Sequence, residues 1–211
     1  LDPFIRFLEV AAIMNGQVIN ASSLAREAQV SRPSIEGYFS ILIDTLIGVF
    51  VPAFQPRAKI KEVEHSKFYF FDAGVARATA GLLDEPPDKE WLGYSFETMI
   101  LHELRLRNHL SNQERKIMFY KVHSGREVDF VVEVKKGTLR SVPEVILIEV
   151  KYSETWKKEW ESELIELSSS TKLKVRQALA VYCGPIALKR GIITILPIKE
   201  FLKKLHSGDI F

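Results

Sequence analysis

The sequence predicts a mixed α/β (α+β) chain in two parts: a small helical domain with one β-hairpin, then a larger domain with a mixed sheet flanked by helices. Three observations carry this. Apolar residues recur at helical spacing through residues 3–45; two Phe-rich runs then bracket a polar stretch; and beyond a Pro-Pro segment β-branched runs alternate with amphipathic helical ones. With 211 residues, 46% hydrophobic and 27% charged, the chain is long enough to bury a core in one large or two small domains.

Residues 3–14 read as a helix, with Pro3 tolerated in the first turn and Phe4, Phe7, Leu8, Ala11 and Ala12 on one stripe. A short second helix ends at Ala28, with Ser22 or Ser23 placed to cap it. Ser31 is placed to cap a third helix that holds Pro33 in its first turn and turns Ile35, Tyr38, Phe39, Leu42 and Ile43 to the core. Residues 49–54 and 67–71 are strand-like and flank a polar stretch as a wing would, so residues 1–84 read as a winged helix-turn-helix. Residues 85–90, with Pro86 and Pro87, are the expected linker, and the second domain spans 91–211.

In that domain a helix runs from Trp91 to about residue 110, and residues 116–122 and 127–134 pair as a hairpin. Residues 144–152 form the next strand, and a helix over 154–167 carries Trp156, Trp160 and Leu164 at spacings of four, a stripe that reads as core. Strands at 177–183 and 192–196 precede a final helix over 197–205.

The chemistry concentrates on two strands. In Glu127-Val128-Asp129-Phe130 alternation turns Asp129 away from the apolar face carrying Val128, Phe130 and Val132, as in a half-buried strand. In Ile148-Glu149-Val150-Lys151 it makes Glu149 and Lys151 project together, roughly 7 Å apart. If the strands pair, about 4.8 Å separates their backbones, and both carboxylates reach one Mg²⁺ or Mn²⁺ ion, which prefers hard oxygen ligands. Such an ion neutralises a phosphodiester and activates water, and a nearby ammonium orients that water or offsets developing charge. A third acid is expected on the preceding helix: Glu97, on an amphipathic segment with Phe96, Ile100, Leu101 and Leu104, with Glu103 as its competitor. Read alone, an acid-x-lysine strand face is an ordinary solvated ion-pair patch.

The order helix Glu97, strand Asp129, strand Glu149-x-Lys151 resembles the PD-(D/E)XK nuclease superfamily. With Gly16-Gln17-Val18-Ile19-Asn20, Leu24 to Phe39, Lys67 to Ala76 and Gly93, the chain is similar to the carboxy-terminal region of predicted prokaryotic AAA-type ATPases, in which an ATP-binding module precedes a winged helix-turn-helix and a nuclease-like domain. The resemblance implies a metal-dependent endodeoxyribonuclease: Asp129, Glu149 and Glu97 as metal ligands, Lys151 completing the catalytic set. The alternative it allows is an inactive nuclease-like scaffold that binds nucleic acid or protein and is regulated by the parent ATPase. No G-x-x-x-x-G-K-[ST] loop occurs, nor any Gly-Lys pair, and the chain opens on Leu1; it reads as a fragment whose ATP binding belongs to the missing upstream module.

Charge is divided unevenly. Residues 1–88 hold 8 Lys and Arg against 11 Asp and Glu, a net −3, and residues 89–211 hold 21 against 16, a net +5. That charge is compatible with the nucleic-acid partner that the resemblance implies for the second domain, without the dense basic footprint of a dedicated DNA binder. In the first domain the candidate DNA contacts are Arg32 and Ser34 on the third helix and Arg57, Lys59 and Lys61 on the wing, diluted by Glu36, Asp44, Glu62 and Glu64; docking between domains is the other use of that module. No apolar run reaches the roughly 20 residues that span a bilayer, and no signal-peptide pattern is seen. One cysteine, Cys183, makes no intrachain disulfide, so the expected compartment is the cytoplasm. The five histidines show no zinc spacing, and no Gly-x-Ser-x-Gly elbow is present.

Overall fold

A computed structural model describes residues 2–55, 65–122 and 125–211. By internal packing the chain divides into two compact units, one of residues 1–52 and 65–99, the other of residues 53–64 and 100–211. The division falls inside one long helix, and residues 85–88 are irregular ahead of it.

The first unit opens with α1 (Asp2–Ile13), α2 (Ala21–Glu27) and α3 (Arg32–Asp44). Two of these helices begin at side-chain caps. Ser31 Oγ accepts the Ser34 N–H, as the sequence predicts. Helix α2 is capped not by Ser22 or Ser23 but by Asn20, whose Oδ1 accepts the N–H groups of both serines. The serines lie inside the first turn, where they present backbone donors; the cap belongs to the residue before it.

Strands β1 (Gly48–Val51) and β2 (Lys67–Phe70) pair antiparallel. They close a core of Phe7, Ala11, Leu24, Ile35, Phe39, Leu42, Phe68 and Phe70, with Phe39 meeting Phe7 at 5.0 Å and Phe68 at 4.8 Å between ring centroids. Gly48 is dictated by this packing, since a Cβ there would stand 2.2 Å from the Phe68 ring. The short helix α4 (Ala73–Thr79), capped by Asp72 through the Val75 N–H, was not anticipated. It is too short for periodicity to reveal, although Asp-x-x at a helix start is a readable cap.

Helix α5 (Lys89–Leu110) carries Glu97 in its first-unit half and the fully buried Ile100, Leu101 and Leu104 in its second-unit half. In the second unit follow β3 (Ile117–Lys121), β4 (Glu127–Lys135), β5 (Glu144–Lys151), a 3₁₀ turn (Lys158–Glu161), α6 (Ser162–Ser168), β6 (Lys174–Tyr182), β7 (Leu188–Arg190), β8 (Ile193–Pro197) and α7 (Ile198–Ser207). They build a six-stranded mixed sheet in the order β3-β4-β5-β6-β8-β7. Strand β4 runs antiparallel to both β3 and β5, β5, β6 and β8 are parallel, and β7 returns antiparallel along β8.

Two expectations are corrected here. Strands β4 and β5 are not half-buried. Val145, Leu147, Ala178, Ala180, Ile193 and Ile195 pack with Leu164 and Leu167 of α6, and the alternating Ile146, Ile148, Leu179 and Val181 are buried as well. A sheet whose centre is covered on both faces reads as a continuous apolar run rather than a two-faced one. The helix expected over 154–167 begins only at Lys158, because Ser153 Oγ donates to the Thr155 carbonyl and accepts its N–H, a local turn that competes with helix. Trp156 is then buried ahead of the helix, its indole N–H donating to Glu161 Oε1 at 3.0 Å. Among the described residues no helix is long and apolar enough to cross a membrane.

Candidate functional site

Strands β4 and β5 position the predicted acids. Their pairing runs through Val132↔Ile146 and Val131↔Leu147 to Phe130↔Ile148 and stops there. A bulge in the β3–β4 ladder, where Met118 pairs with Val131 and Tyr120 with Val128, bends β4 at this level. The next ladder donor on β5, the Val150 N–H, is taken by a side chain instead: Asp129 Oδ2 accepts it at 2.7 Å. That bond fixes the carboxylate beside Glu149, one step beyond the last backbone pair. The alternation along β5 holds as predicted, and Lys151 reaches back over both acids. Its Nζ lies 3.5 Å from Asp129 Oδ2 and forms an ion pair with Glu149 Oε1.

The electrostatics are uneven. Asp129 and Glu149 are both buried, at 7% and 5% exposure. Burial pushes the Glu149 carboxyl well above the usual carboxylate range, and the Asp129 charge pushes it further; Lys151 opposes both. Glu149 Oε2 is buried with no hydrogen-bond partner among the described residues. An ionised oxygen in that state is costly.

Glu127 is a further acid of this cluster that the sequence reading quoted without giving it a role. One of its carboxylate oxygens lies within 4.8 Å of one of Asp129, and its Oε2 takes the Lys121 ammonium at 2.6 Å. Its charge also contributes to raising the Glu149 pKa. The signal was present in Glu-x-Asp on one strand, two residues apart. The turn leading into β4 is tied to α6 through Arg126, which pairs with Glu163 and Glu166.

Glu97 lies in the first unit. There its Oε1 accepts the Lys67 ammonium at 2.8 Å and the Tyr69 hydroxyl. Its competitor Glu103 pairs with His206 at 2.8 Å in the second unit. Arg32 and Ser34 stand at the start of α3, where Arg32 pairs with Glu36 at 3.7 Å on the exposed face and Ser34 joins the Ser31 cap. Arg57, Lys59 and Lys61 lie outside the described residues. Cys183 is half-buried, and burial raises its thiol above the ordinary range.

A family model described as "Domain of unknown function (DUF4143)" matches residues 92–201, just over half of the chain. The chain belongs to the DUF4143 family. A second, "Domain of unknown function (DUF8612)", matches residues 1–85. No curated protein and no solved structure matches the chain. The DUF4143 match contains Asp129, Glu149 and Lys151 together with Glu97 and Glu127, and ends four residues into α7.

Proposed function

We propose that this DUF4143 chain is a metal-dependent phosphodiesterase of the PD-(D/E)XK kind that cleaves DNA, and that it forms the carboxy-terminal part of a AAA-type ATPase. One observation carries the reading: Asp129, Glu149 and Lys151 meet where the β4–β5 ladder stops, with Glu149 Oε2 buried and unpartnered. The donor set is made of hard carboxylate oxygens, which suit Mg²⁺ or Mn²⁺, and an orphaned buried oxygen is the kind of atom such an ion satisfies. Asp129 and Glu149 are the residues that would hold it. When bound, a divalent cation supplies charge neutralisation at the phosphate and a water of lowered pKa.

The chain's own groups do the rest. The Val150 N–H keeps the Asp129 carboxylate oriented. Lys151, 28% exposed at its side chain, is the partly exposed member of the set, and its ammonium would offset charge on the phosphoryl oxygens. Glu97 stays in the catalytic set as the third acid expected on the preceding helix, and its Oε1 accepts the Lys67 ammonium and the Tyr69 hydroxyl.

Wider parts of the reading have their own support. Helices α1, α2 and α3 with the β1–β2 pair favour a winged helix-turn-helix over residues 1–84, and the β3 to β8 sheet favours a nuclease-like domain over 91–211. The DUF4143 match favours the parent ATPase, whose upstream module would bind ATP. The scaffold alternative draws on the Lys151–Glu149 pair, which neutralises one oxygen without a metal ion; the orphaned Oε2 weighs against it.

The test is cleavage of single-stranded, duplex and branched DNA with Mg²⁺ or Mn²⁺. Asp129→Ala is expected to lower cleavage about a hundredfold or more while the circular dichroism stays native. Undiminished cleavage by that variant sinks the assignment. Absence of any Mn²⁺ binding by calorimetry moves the reading to the scaffold.

A further inference from the structure

Strand β4 carries one residue more than β3 between the pairs Met118↔Val131 and Tyr120↔Val128, so Asp129 and Phe130 together stand opposite Phe119. A bulge of this kind re-aims a side chain. Strict alternation therefore no longer sets where the Asp129 carboxylate lies relative to Glu127. The fold gives a short gap instead: one carboxylate oxygen of Glu127 lies within 4.8 Å of one of Asp129. Past the bulge the ladder resumes and ends on Lys121↔Glu127.

That last pair holds Glu127 from the β3 side. Lys121 Nζ donates to Glu127 Oε2 at 2.6 Å, and both side chains are partly exposed. Such a pair adds little to stability, but it fixes where one carboxylate oxygen stands. On the β5 side Glu149 is more than nine-tenths buried, and its Oε2 has no hydrogen-bond partner among the described residues. Lys151 Nζ spans Asp129 Oδ2 and Glu149 Oε1. With every group ionised, Glu127, Asp129 and Glu149 set three negative charges against the two positive ones of Lys121 and Lys151, and hard oxygens favour a divalent ion such as Mg²⁺ or Mn²⁺. Oxygens bound to one Mg²⁺ at about 2.0–2.1 Å stand at most about 4.2 Å apart, a gap that small torsions of the Glu127 side chain close.

We propose that Glu127 is a further carboxylate ligand of the divalent ion that Asp129 and Glu149 would hold, and that Lys121 is its positioning residue. The assignment rests on the metal-site reading of β4 and β5. Lys121 retains one Glu127 oxygen, and the carboxylate offers the ion the other.

The experiment is water-proton relaxation of Mn²⁺ titrated into the 211-residue chain without DNA, which reads affinity and the number of waters on the bound ion together. In E127A a water takes the place of the lost ligand in an octahedral shell, so the bound ion should carry about one water more. Affinity should fall about tenfold or more, since even residues behind a metal's ligands are worth that. E127Q keeps the shape of the side chain and guards against a folding defect; it is expected to weaken Mn²⁺ binding too. K121M breaks the same pair but keeps the carboxylate, and its water count should match wild type. Unchanged affinity in both Glu127 variants, an affinity loss in E127A with no added water, or the same added water in K121M as in E127A overturns the assignment. Where the wild-type chain binds Mn²⁺, Asp129→Ala abolishes binding and the Glu127 variants change nothing, only the Glu127 assignment falls. A wild-type chain that binds no Mn²⁺ takes down the assignment and the metal-site reading together. One that never cleaves DNA, yet gains the water in E127A, sinks the phosphodiesterase reading and leaves Glu127 as a ligand.

Discussion

Each unit buries a glutamate beside a lysine, and the two pairs are built differently. In the first unit Glu97, 8% exposed, meets Lys67, whose side chain is 3% exposed, and the same Oε1 takes the Tyr69 hydroxyl. Acid, base and hydroxyl are all used, as a buried pair must be to offset its desolvation. In the second unit Glu149 is equally buried, but its lysine is partly exposed, Asp129 crowds it with like charge, and Oε2 has no partner among the described residues. The first arrangement is what stability requires. The second is costly for stability, and costs of that kind concentrate where a protein binds or reacts.

That contrast gives opposite signs under the same substitution. Glu97→Gln removes the charge that Lys67 meets in the buried pair, so urea unfolding should lose about 3–5 kcal/mol; a wild-type unfolding curve would end the claim that this pair is structural. The same variant, assayed well below its melting temperature, also reads whether Glu97 serves cleavage. Tyr69→Phe removes only the hydroxyl donated to the carboxylate and should cost about 1.5–3 kcal/mol, a smaller loss at the same locus.

Glu149→Gln should act the other way in the absence of metal. Because burial and Asp129 raise the Glu149 pKa, the folded chain holds this proton at pH values where the unfolded chain has released it. Stability from this group is therefore present below the ordinary carboxylate range and is lost as pH rises toward the folded value. In EDTA at neutral pH the Gln variant should melt higher, by about 2–4 °C for each kcal/mol relieved. The gap should close as pH falls below the ordinary carboxylate range. A gap independent of pH would show that Glu149 is not the strained member of the comparison.

Much of this was legible in the residues. The apolar stripes of α1 and α3, Ser31 as a cap, the β3–β4 hairpin and the same-side projection of Glu149 and Lys151 all follow from local periods and local hydrogen bonds. Helix α4 and strand β7 were missed because seven and three residues respectively carry too little period to detect. The late start of α6 was missed because a hydroxyl at Ser153 competes with helix, and propensity does not register that bond. Glu127 was passed over because its role depends on Lys121, its partner in the register across the hairpin.

The sequence by itself determined the helix and strand periods and which neighbours along one strand share a face, because those depend on residues one to four apart. Only the tertiary structure decided that β4 parts from β5 after Phe130, that Asp129 takes the freed Val150 N–H, and that Glu149 Oε2 is shut away from partners. Such facts arise from register and packing between segments some twenty residues apart, which no local pattern encodes.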